Sequence, residues 1–270
     1  MRVGIIGLGL MGGSLALALR QVRPELQLVG SDSDPATMRE ALRRGIVAEG
    51  DPRQADLVVV AAPIGALPEL LAELAGHHGL VTDVASTKVR VMGWAAAAGV
   101  DLVGGHPMCG RERSGLAAAD ASIFQGAPWV LTRDEPAVTE LVRAVGARPR
   151  FMDAERHDRL VAGVSHAAFL VSAAYVLALS TGGDWEGMRQ VAGPGFRDLS
   201  RLAAGSPELY SAIVSTNRDP ILRSLAAVEG SLAKLRRHLE AGDARLAELL
   251  EEAKLARDIW EREANRAGDD

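Results

Sequence analysis

The chain is poor in cysteine and in clustered positive charge. Cys109 is the only cysteine among 270 residues, so an internal disulfide is impossible and a reducing, cytoplasmic setting is expected. No run of Lys and Arg suggests a surface that follows phosphates, and the formal net charge of −5 argues against a nucleic-acid partner. Hydrophobic residues make up 48% of the chain and charged residues 24%, which is typical of a soluble globular protein.

Two apolar stretches need to be distinguished from membrane signals. Residues 1–19 begin with a basic residue followed by apolar ones, as in a signal peptide, but their glycines have the spacing of a phosphate-binding turn. Residues 160–179 are long enough to span a bilayer, yet they include the polar residues Ser165, His166 and Ser172. We expect this second stretch to be the buried central helix of a helical domain, and we expect no membrane partner.

The first half of the chain alternates short apolar runs with segments of helical spacing. This alternation predicts βαβ units and a parallel sheet. Runs at 128–132 and 147–152 flank a helical pattern and are expected to complete the same sheet. From residue 155 onward the pattern is helical throughout. The predicted domains are therefore a sheet domain over 1–152 and an all-helical domain over 153–270. The five earlier predicted strands are 2–8, 27–32, 55–63, 79–85 and 101–107.

Two amphipathic patterns follow one another near the end of the chain. Gly242 and Asp243 separate them, as a helix stop followed by an N-cap would. The pattern predicts a helical hairpin whose apolar stripe packs within the chain or forms a subunit interface, and the spacing fits both equally. Together with a helical second domain it suggests a homodimer through the C-terminal helices. The apolar residues of the stripe are Leu225, Val228, Leu232, Leu235 and Leu239, then Leu246, Leu249, Ala253, Ala256 and Trp260.

Three glycines between the first predicted strand and the first predicted helix form the pattern G-x-G-x-x-G. Gly7 allows a tight turn, Gly9 lets backbone N–H groups approach a pyrophosphate, and Gly12 permits close packing of helix on strand. The helix N-terminus adds unpaired N–H donors and a partial positive charge. The fold class predicted is thus α/β, with an N-terminal Rossmann-type parallel sheet and an all-helical C-terminal dimerisation domain.

An acidic residue closes the second predicted strand, twenty residues beyond Gly12. The carboxylate of Asp32 can accept both hydroxyls of the adenosine ribose and would repel a 2′-phosphate. Ser33 and Asp34 follow it, instead of an arginine that could bind that phosphate. The sequence therefore predicts NAD as the cofactor, in preference to NADP.

Polar residues with possible roles in catalysis follow two of the predicted strands. DVASTK (83–88) and GGHPM (104–108) each lie at the carboxyl end of a strand, where ligands bind in open parallel sheets. Ser86 and His106 can therefore face the nicotinamide. An alcohol that loses hydride must also lose a proton, and an imidazole is the usual acceptor at neutral pH.

Several motifs together resemble the prephenate and arogenate (cyclohexadienyl) dehydrogenase family, over about residues 2 to 260. They are GLGLMGGSLALAL, DVASTK, GGHPMCG, VSH in a long apolar helix, and GPGFRDLSRLA. The resemblance implies an NAD-dependent oxidative decarboxylation in tyrosine biosynthesis. The substrate would be prephenate, giving 4-hydroxyphenylpyruvate, or arogenate, giving tyrosine, or both.

The resemblance also implies roles for individual residues. His106 would take the proton of the ring 4-hydroxyl as hydride leaves C4, and Ser86 would hydrogen-bond the same hydroxyl. Arg201 would bind a substrate carboxylate, since a guanidinium suits bidentate binding, and Ser165 would lie near the bound substrate. No spacing of His, Cys, Asp and Glu suggests a metal site.

The chain departs from the family's pattern at two positions. Phe169 stands where many relatives have a second histidine that helps to recognise the substrate's side chain, and Arg111 stands where a small hydroxyl residue is common. Arg111 either adds positive charge to the pocket or points to solvent. His166 is expected to be a hydrogen-bonded core histidine. His157, followed by Asp158, is expected to serve in capping or at an interface.

Two alternatives stay open from the sequence. A β-hydroxyacid dehydrogenase shares the two-domain plan, but it relies on a lysine on its interdomain helix, and residues 155–180 contain no lysine. The other alternative is a non-catalytic NAD-sensing protein. Such a protein would have little use for His106 and Arg201 together.

Overall fold

The computed structural model describes residues 1–110 and 114–269. Arg111 lies outside the described residues. The chain forms two compact units, Met1–Ile221 and Leu222–Asp270.

The first unit is built on a five-stranded parallel sheet. Its strands are β1 (Arg2–Ile6), β2 (Gln27–Ser31), β3 (Leu57–Val60), β4 (Leu80–Asp83) and β5 (Leu102–Val103), in the order β2-β1-β3-β4-β5. The helices between them are α1 (Leu10–Val22), α2 (Pro35–Arg43), α3 (Leu67–Glu73) and α4 (Val89–Ala97). The predicted parallel sheet is therefore present, with strands shorter than the apolar runs that mark them.

Both faces of this sheet are buried, which explains why its strands read as continuous apolar runs. Along β3 the side chains alternate between two apolar clusters, with Leu57 and Val59 in one and Val58 and Val60 in the other. The first cluster includes Leu15 and Leu19 of α1, and the second includes residues of α3 and α4.

A second sheet corrects the expectation that one sheet continues to residue 152. It contains β6 (Gly105–Pro107), β7 (Pro128–Leu131) and β8 (Arg148–Phe151), with α5 (Pro136–Ala144) between the last two. β6 runs antiparallel to β7, whereas β7 and β8 are parallel. The break falls at Gly104 and Gly105, because Gly105 N–H donates to the side chain of Asp83 instead of continuing the ladder of β5.

The chain is helical beyond residue 153, as predicted. The helices of the first unit are α6 (Ala154–Val161), a π-helical turn (Ala162–Ala167), α7 (Ala168–Thr181), α8 (Trp185–Val191), α9 (Pro194–Ser200) and α10 (Pro207–Thr216). α11 (Arg218–Ala241) begins in this unit, and α12 (Arg245–Asp269) lies in the second.

The predicted hairpin is formed by α11 and α12. Gly242 adopts a positive φ of 64° after α11, and the carboxylate of Asp243 accepts from the N–H of Arg245 at the start of α12. Several apolar residues of the predicted stripe remain exposed within the chain, among them Leu232, Leu239 and Trp260. The stripe is therefore largely unburied by the chain's own residues.

Among the described residues, one helical stretch has the length and composition of a membrane span. It is Ala154–Thr181, with a mean hydropathy of 1.9 over an 18-residue segment, 28% of which is buried within the chain. One such stretch is weak support for a membrane protein. We expected this helix to be buried. Within a single chain it is only partly buried, and Val164 and Leu177 are exposed.

Candidate active site

The glycine turn leaves open space at the N-terminus of α1. Gly7 has a φ of 94° and donates its N–H to the carbonyl of Ser31 at 2.8 Å. A Cβ on Gly12 would lie 1.9 Å from the carbonyl oxygen of Gly7, so only glycine fits there. By contrast, a Cβ on Gly9 would meet no atom within 4 Å. Space and unpaired N–H groups at a helix N-terminus together suit a phosphate group.

Asp32 lies directly against this turn. One carboxylate oxygen accepts from the N–H of Leu8 at 2.7 Å, and the other accepts from the N–H of Asp34 at 2.9 Å. Asp34 in turn caps α2 by accepting from the N–H groups of Ala36 and Thr37. The structure thus brings Gly7, Gly9, Gly12 and Asp32 together at one edge of the sheet.

A buried ion pair fixes the loop that precedes β6. The ammonium of Lys88 hydrogen-bonds the carboxylate of Asp83 and donates to the carbonyl of Gly105 at 2.6 Å. Asp83 also accepts from the N–H of Gly105 at 2.9 Å. Both side chains are almost fully buried, and burial lowers the pKa of Lys88 despite the attraction of Asp83. Sequence reasoning missed this pair, which positions Gly105, the residue next to His106.

His106 is buried and belongs to a chain of hydrogen bonds. Its Nδ1 lies 2.8 Å from Nε2 of His157, and Nδ1 of His157 lies 2.8 Å from a carboxylate oxygen of Asp158. A carboxylate only accepts, so Nδ1 of His157 carries a proton, and its Nε2 then accepts from Nδ1–H of His106 when both rings are neutral. Nε2 of His106 is left without a proton and able to accept one.

The environment keeps His106 neutral. Burial lowers its pKa well below the usual histidine range, and His157 and Lys88 lower it further. An unprotonated imidazole at neutral pH is the state that a general base requires.

Asp158 anchors the chain of hydrogen bonds to α4. Its two carboxylate oxygens accept from the N–H groups of Lys88 at 2.7 Å and Val89 at 2.9 Å. Asp158 therefore caps α4 instead of its own helix, which the sequence did not predict. The capping or interface role was expected of His157, whose ring instead lies between Asp158 and His106. The adjacent pair HD in the sequence was the only signal of this arrangement.

The π-helical turn carries Ser165 and His166. His166 is 1% exposed, and Nδ2 of Asn217 lies 3.1 Å from its Nδ1 and 2.8 Å from the backbone oxygen of Asp158. His166 is therefore a buried, hydrogen-bonded histidine, as expected. Burial lowers its pKa to about 4. Through Asn217 and Asp158 it belongs to the same cluster as His106.

Arg201 and Phe169 are both positioned by α7. Arg201 is exposed at the start of a short 3-10 turn, which is fixed because Ser172 donates to the carbonyl of Leu199 and accepts from the N–H of Ala203. Phe169 is buried and stacks on Tyr210 with ring centroids 3.4 Å apart. Phe169 and Tyr210 thus form an aromatic pair at this position.

The two groups of residues define a class of protein. An open helix N-terminus with an acid at the end of β2, and a neutral buried histidine beyond neighbouring strands, are the parts of a nucleotide-dependent oxidoreductase. Among the described residues, no group of three or more His, Cys, Asp and Glu side chains could hold a metal ion.

Comparison with known proteins identifies the family. Residues 15–148 match the model "Prephenate dehydrogenase, nucleotide-binding domain", and residues 153–253 match "Prephenate dehydrogenase, dimerization domain". The chain belongs to the prephenate dehydrogenase family. The predicted family and the predicted fold class are therefore confirmed.

Individual relatives cover nearly the whole chain. Prephenate dehydrogenase of Lactococcus lactis is 30% identical over 96% of this chain and 77% of its own length. Arogenate dehydrogenase of Synechocystis has a TM-score of 0.83 at 30% identity, covering 96% of this chain and 100% of that one. Prephenate dehydrogenase of A. aeolicus, in complex with hydroxyphenyl propionate and NAD+, has a TM-score of 0.89 at 27% identity, covering 96% and 98%.

Proposed function

We propose that the chain catalyses the oxidative decarboxylation of prephenate, of arogenate, or of both, with NAD as hydride acceptor, in tyrosine biosynthesis. The observation that carries this proposal is the buried His106, whose Nε2 is kept free of a proton because its Nδ1–H donates to Nε2 of His157. A relative named for prephenate and one named for arogenate are each 30% identical to this chain. We therefore propose either compound, or both, as the substrate.

The residues present fit NAD. The open space beside Gly9 admits a pyrophosphate at the N-terminus of α1, and a Cβ at either of the other two glycines would clash with backbone. Asp32 is held at the end of β2 by two backbone N–H groups, and its remaining lone pairs are available for ribose hydroxyls. The predicted cofactor agrees with the nucleotide-binding family model and with the NAD+ complex of the A. aeolicus relative. Bound NAD supplies the acceptor for the hydride that leaves C4 of the ring.

In the proposed reaction His106 acts as the general base. Its Nε2 accepts the proton of the ring hydroxyl as hydride leaves C4, so that the hydroxyl becomes a carbonyl. The ring carboxylate then leaves as carbon dioxide, its bonding electrons complete the aromatic ring, and the phenolate oxygen regains the proton from His106. Aromatisation drives the reaction, and the protein mainly positions groups and takes one proton. The carboxylate of Asp158, acting through His157, stabilises the imidazolium that forms on His106.

The other predicted site residues receive supporting roles. Ser86, which lies in the sequence between Asp83 and Lys88, hydrogen-bonds the reacting hydroxyl. Ser165 contacts the substrate from the π-helical turn, and Arg201 binds one of its carboxylates. The substrate is a small molecule with two carboxylates. One guanidinium together with several neutral hydrogen-bond donors is suited to binding such an anion.

We also infer that the protein acts as a cytoplasmic homodimer, with residues 1–152 as the NAD-binding domain and 153–270 as the helical substrate and dimerisation domain. The support is the match of residues 153–253 to the family's dimerization domain and the exposure of apolar side chains such as Val164 and Val191. Burial of these residues against a second copy accounts for the apolar helix without a membrane. No nucleic-acid partner is expected.

The deciding experiment is an assay of NADH formation with prephenate, arogenate and a panel of small hydroxyacids. We expect turnover with at least one of the two cyclohexadienes and none with the hydroxyacids. Turnover with a hydroxyacid alone would favour a β-hydroxyacid dehydrogenase. NADH binding without any turnover would favour an NAD-sensing protein. Sedimentation as a monomer at micromolar concentration would contradict the dimer.

A further inference from the structure

His166 has a ring nitrogen that nothing in the described part of the chain satisfies. Its Nε2 is buried and has no hydrogen-bond partner among the described residues. A buried polar group without a hydrogen-bond partner is destabilising, so native proteins keep few of them.

The neighbours of His166 determine which of its nitrogens carries the proton. The backbone oxygen of Asp158 only accepts, so the atom of Asn217 that faces it at 2.8 Å is the amide nitrogen. The same nitrogen faces Nδ1 of His166 at 3.1 Å, and it donates there as well. Nδ1 is therefore the acceptor, and in the neutral ring the proton sits on Nε2. Burial, which lowers the pKa of His166 to about 4, keeps the ring neutral. The unsatisfied atom is thus an N–H donor.

The location of this donor points to the active site. Asn217 connects His166 to Asp158, whose carboxylate orients His157 and through it His106. His166 also lies in the π-helical turn Ala162–Ala167, and such turns are frequently found at functional sites.

We infer that His166 is a substrate-positioning residue, whose Nε2–H donates a hydrogen bond to a carboxylate or carbonyl oxygen of the substrate bound beside His106. The inference rests on the proposed function for the identity of that substrate. Asn217 serves the site indirectly, because it holds His166 in the tautomer that donates.

Two substitutions of His166 distinguish the roles of its two ring nitrogens. In His166→Asn the amide oxygen of the new side chain replaces Nδ1 and can still accept from Asn217. The N–H donor at the position of Nε2 is lost. In His166→Gln the longer side chain can return an N–H near the place of Nε2. We expect His166→Asn to raise the substrate KM about 10- to 100-fold, the range for a hydrogen bond to a charged group, with kcat changed less. We expect His166→Gln to recover part of this loss. The exposed His78, changed to Asn, is the matched control.

Direct readouts accompany the kinetics. In the holoenzyme with 15N-labelled histidine, the Nε2 signal of His166 should be that of a protonated nitrogen, and it should move when hydroxyphenyl propionate is added. Calorimetry should show weaker binding of this probe to His166→Asn and unchanged binding of NAD. If wild-type enzyme turns over neither cyclohexadiene, the proposed function fails, and this binding measurement still tests the donor.

Several results of these measurements would overturn the inference. An unchanged KM and probe affinity in a folded His166→Asn protein would overturn the inference, as would a proton on Nδ1. Weaker binding of NAD with unchanged binding of substrate would overturn the assignment to the substrate. Should His166→Asn fail to fold, the NMR signal and the His166→Gln variant decide.

Discussion

Nε2 of His157 lies 2.8 Å from Nδ1 of His106, although the two residues are 51 positions apart in the chain. The contact joins a histidine of β6 to one on α6, and Asp158 then connects both to the N-terminus of α4. This hydrogen bond fixes the orientation of the His106 ring and keeps the proton on Nδ1, so that Nε2 stays unprotonated.

Removing either histidine should lower kcat, but the two losses should not add. We expect His106→Asn to lower kcat by about 10²–10⁴-fold, the contribution of a general base. His157→Phe keeps a ring of similar size but cannot orient His106, and we expect a loss of about 10²-fold with little change in KM. Because His157 acts only through His106, the double variant should be no slower than His106→Asn alone. Steady-state kinetics of the three variants test this, and independent, multiplying losses would exclude the relay.

The second and third glycines of the turn, Gly9 and Gly12, should respond differently to alanine. In Gly12→Ala the new Cβ meets the carbonyl oxygen of Gly7 at 1.9 Å, so we expect a loss of about 1–3 kcal/mol in the free energy of unfolding. In Gly9→Ala the Cβ meets nothing, so the melting temperature of the free protein should be preserved. Its Kd for NAD should nevertheless rise by about tenfold or more, because the methyl group enters the space that the pyrophosphate needs.

Thermal unfolding without cofactor and calorimetry with NAD check this pair of variants. Each variant serves as the control of the other. A Gly9→Ala protein that melts early, or that binds NAD normally, would contradict the assigned role of this position.

The sequence was sufficient for the parts of the site that depend on neighbouring residues. The glycine spacing, Asp32 and the position of His106 after a strand follow from local patterns, and the structure has the predicted elements there. Asp83 with Lys88, His157 with His106, and Asn217 with His166 depend on contacts between segments far apart in the chain. The single predicted sheet was wrong for a related reason, since Asp83 binds the N–H of Gly105 and ends the ladder there. Sequence periodicity carries no information on such a side-chain contact.

The buried ion pair of Lys88 and Asp83 should matter far more to stability than an exposed one. Lys88→Met leaves the carboxylate of Asp83 buried without its cation, and we expect a loss of about 3–5 kcal/mol. The double variant Asp83→Asn with Lys88→Met removes both charges and should lose less than Lys88→Met alone. As a control, Arg43→Gln breaks the exposed pair with Glu40 and should cost about 0–1 kcal/mol. Urea unfolding measures all three, and equal losses for Lys88→Met and Arg43→Gln would refute the prediction.

Stability should fall in mild acid because His166 is buried in its neutral form. Its pKa is about 4 in the folded chain, against 6.5 for an ordinary histidine. Between these values the unfolded chain binds a proton that the folded chain does not, so the free energy of unfolding decreases as the pH falls from 6.5 towards 4. The full contribution is about 3 kcal/mol, of which about 2 kcal/mol is lost by pH 5. Urea midpoints at pH 8 and pH 5 measure the effect. His166→Asn should show a smaller decrease than wild type, with the exposed His78→Asn as the control for loss of one histidine. Equal decreases in wild type and His166→Asn would mean that His166 takes up a proton equally in both states.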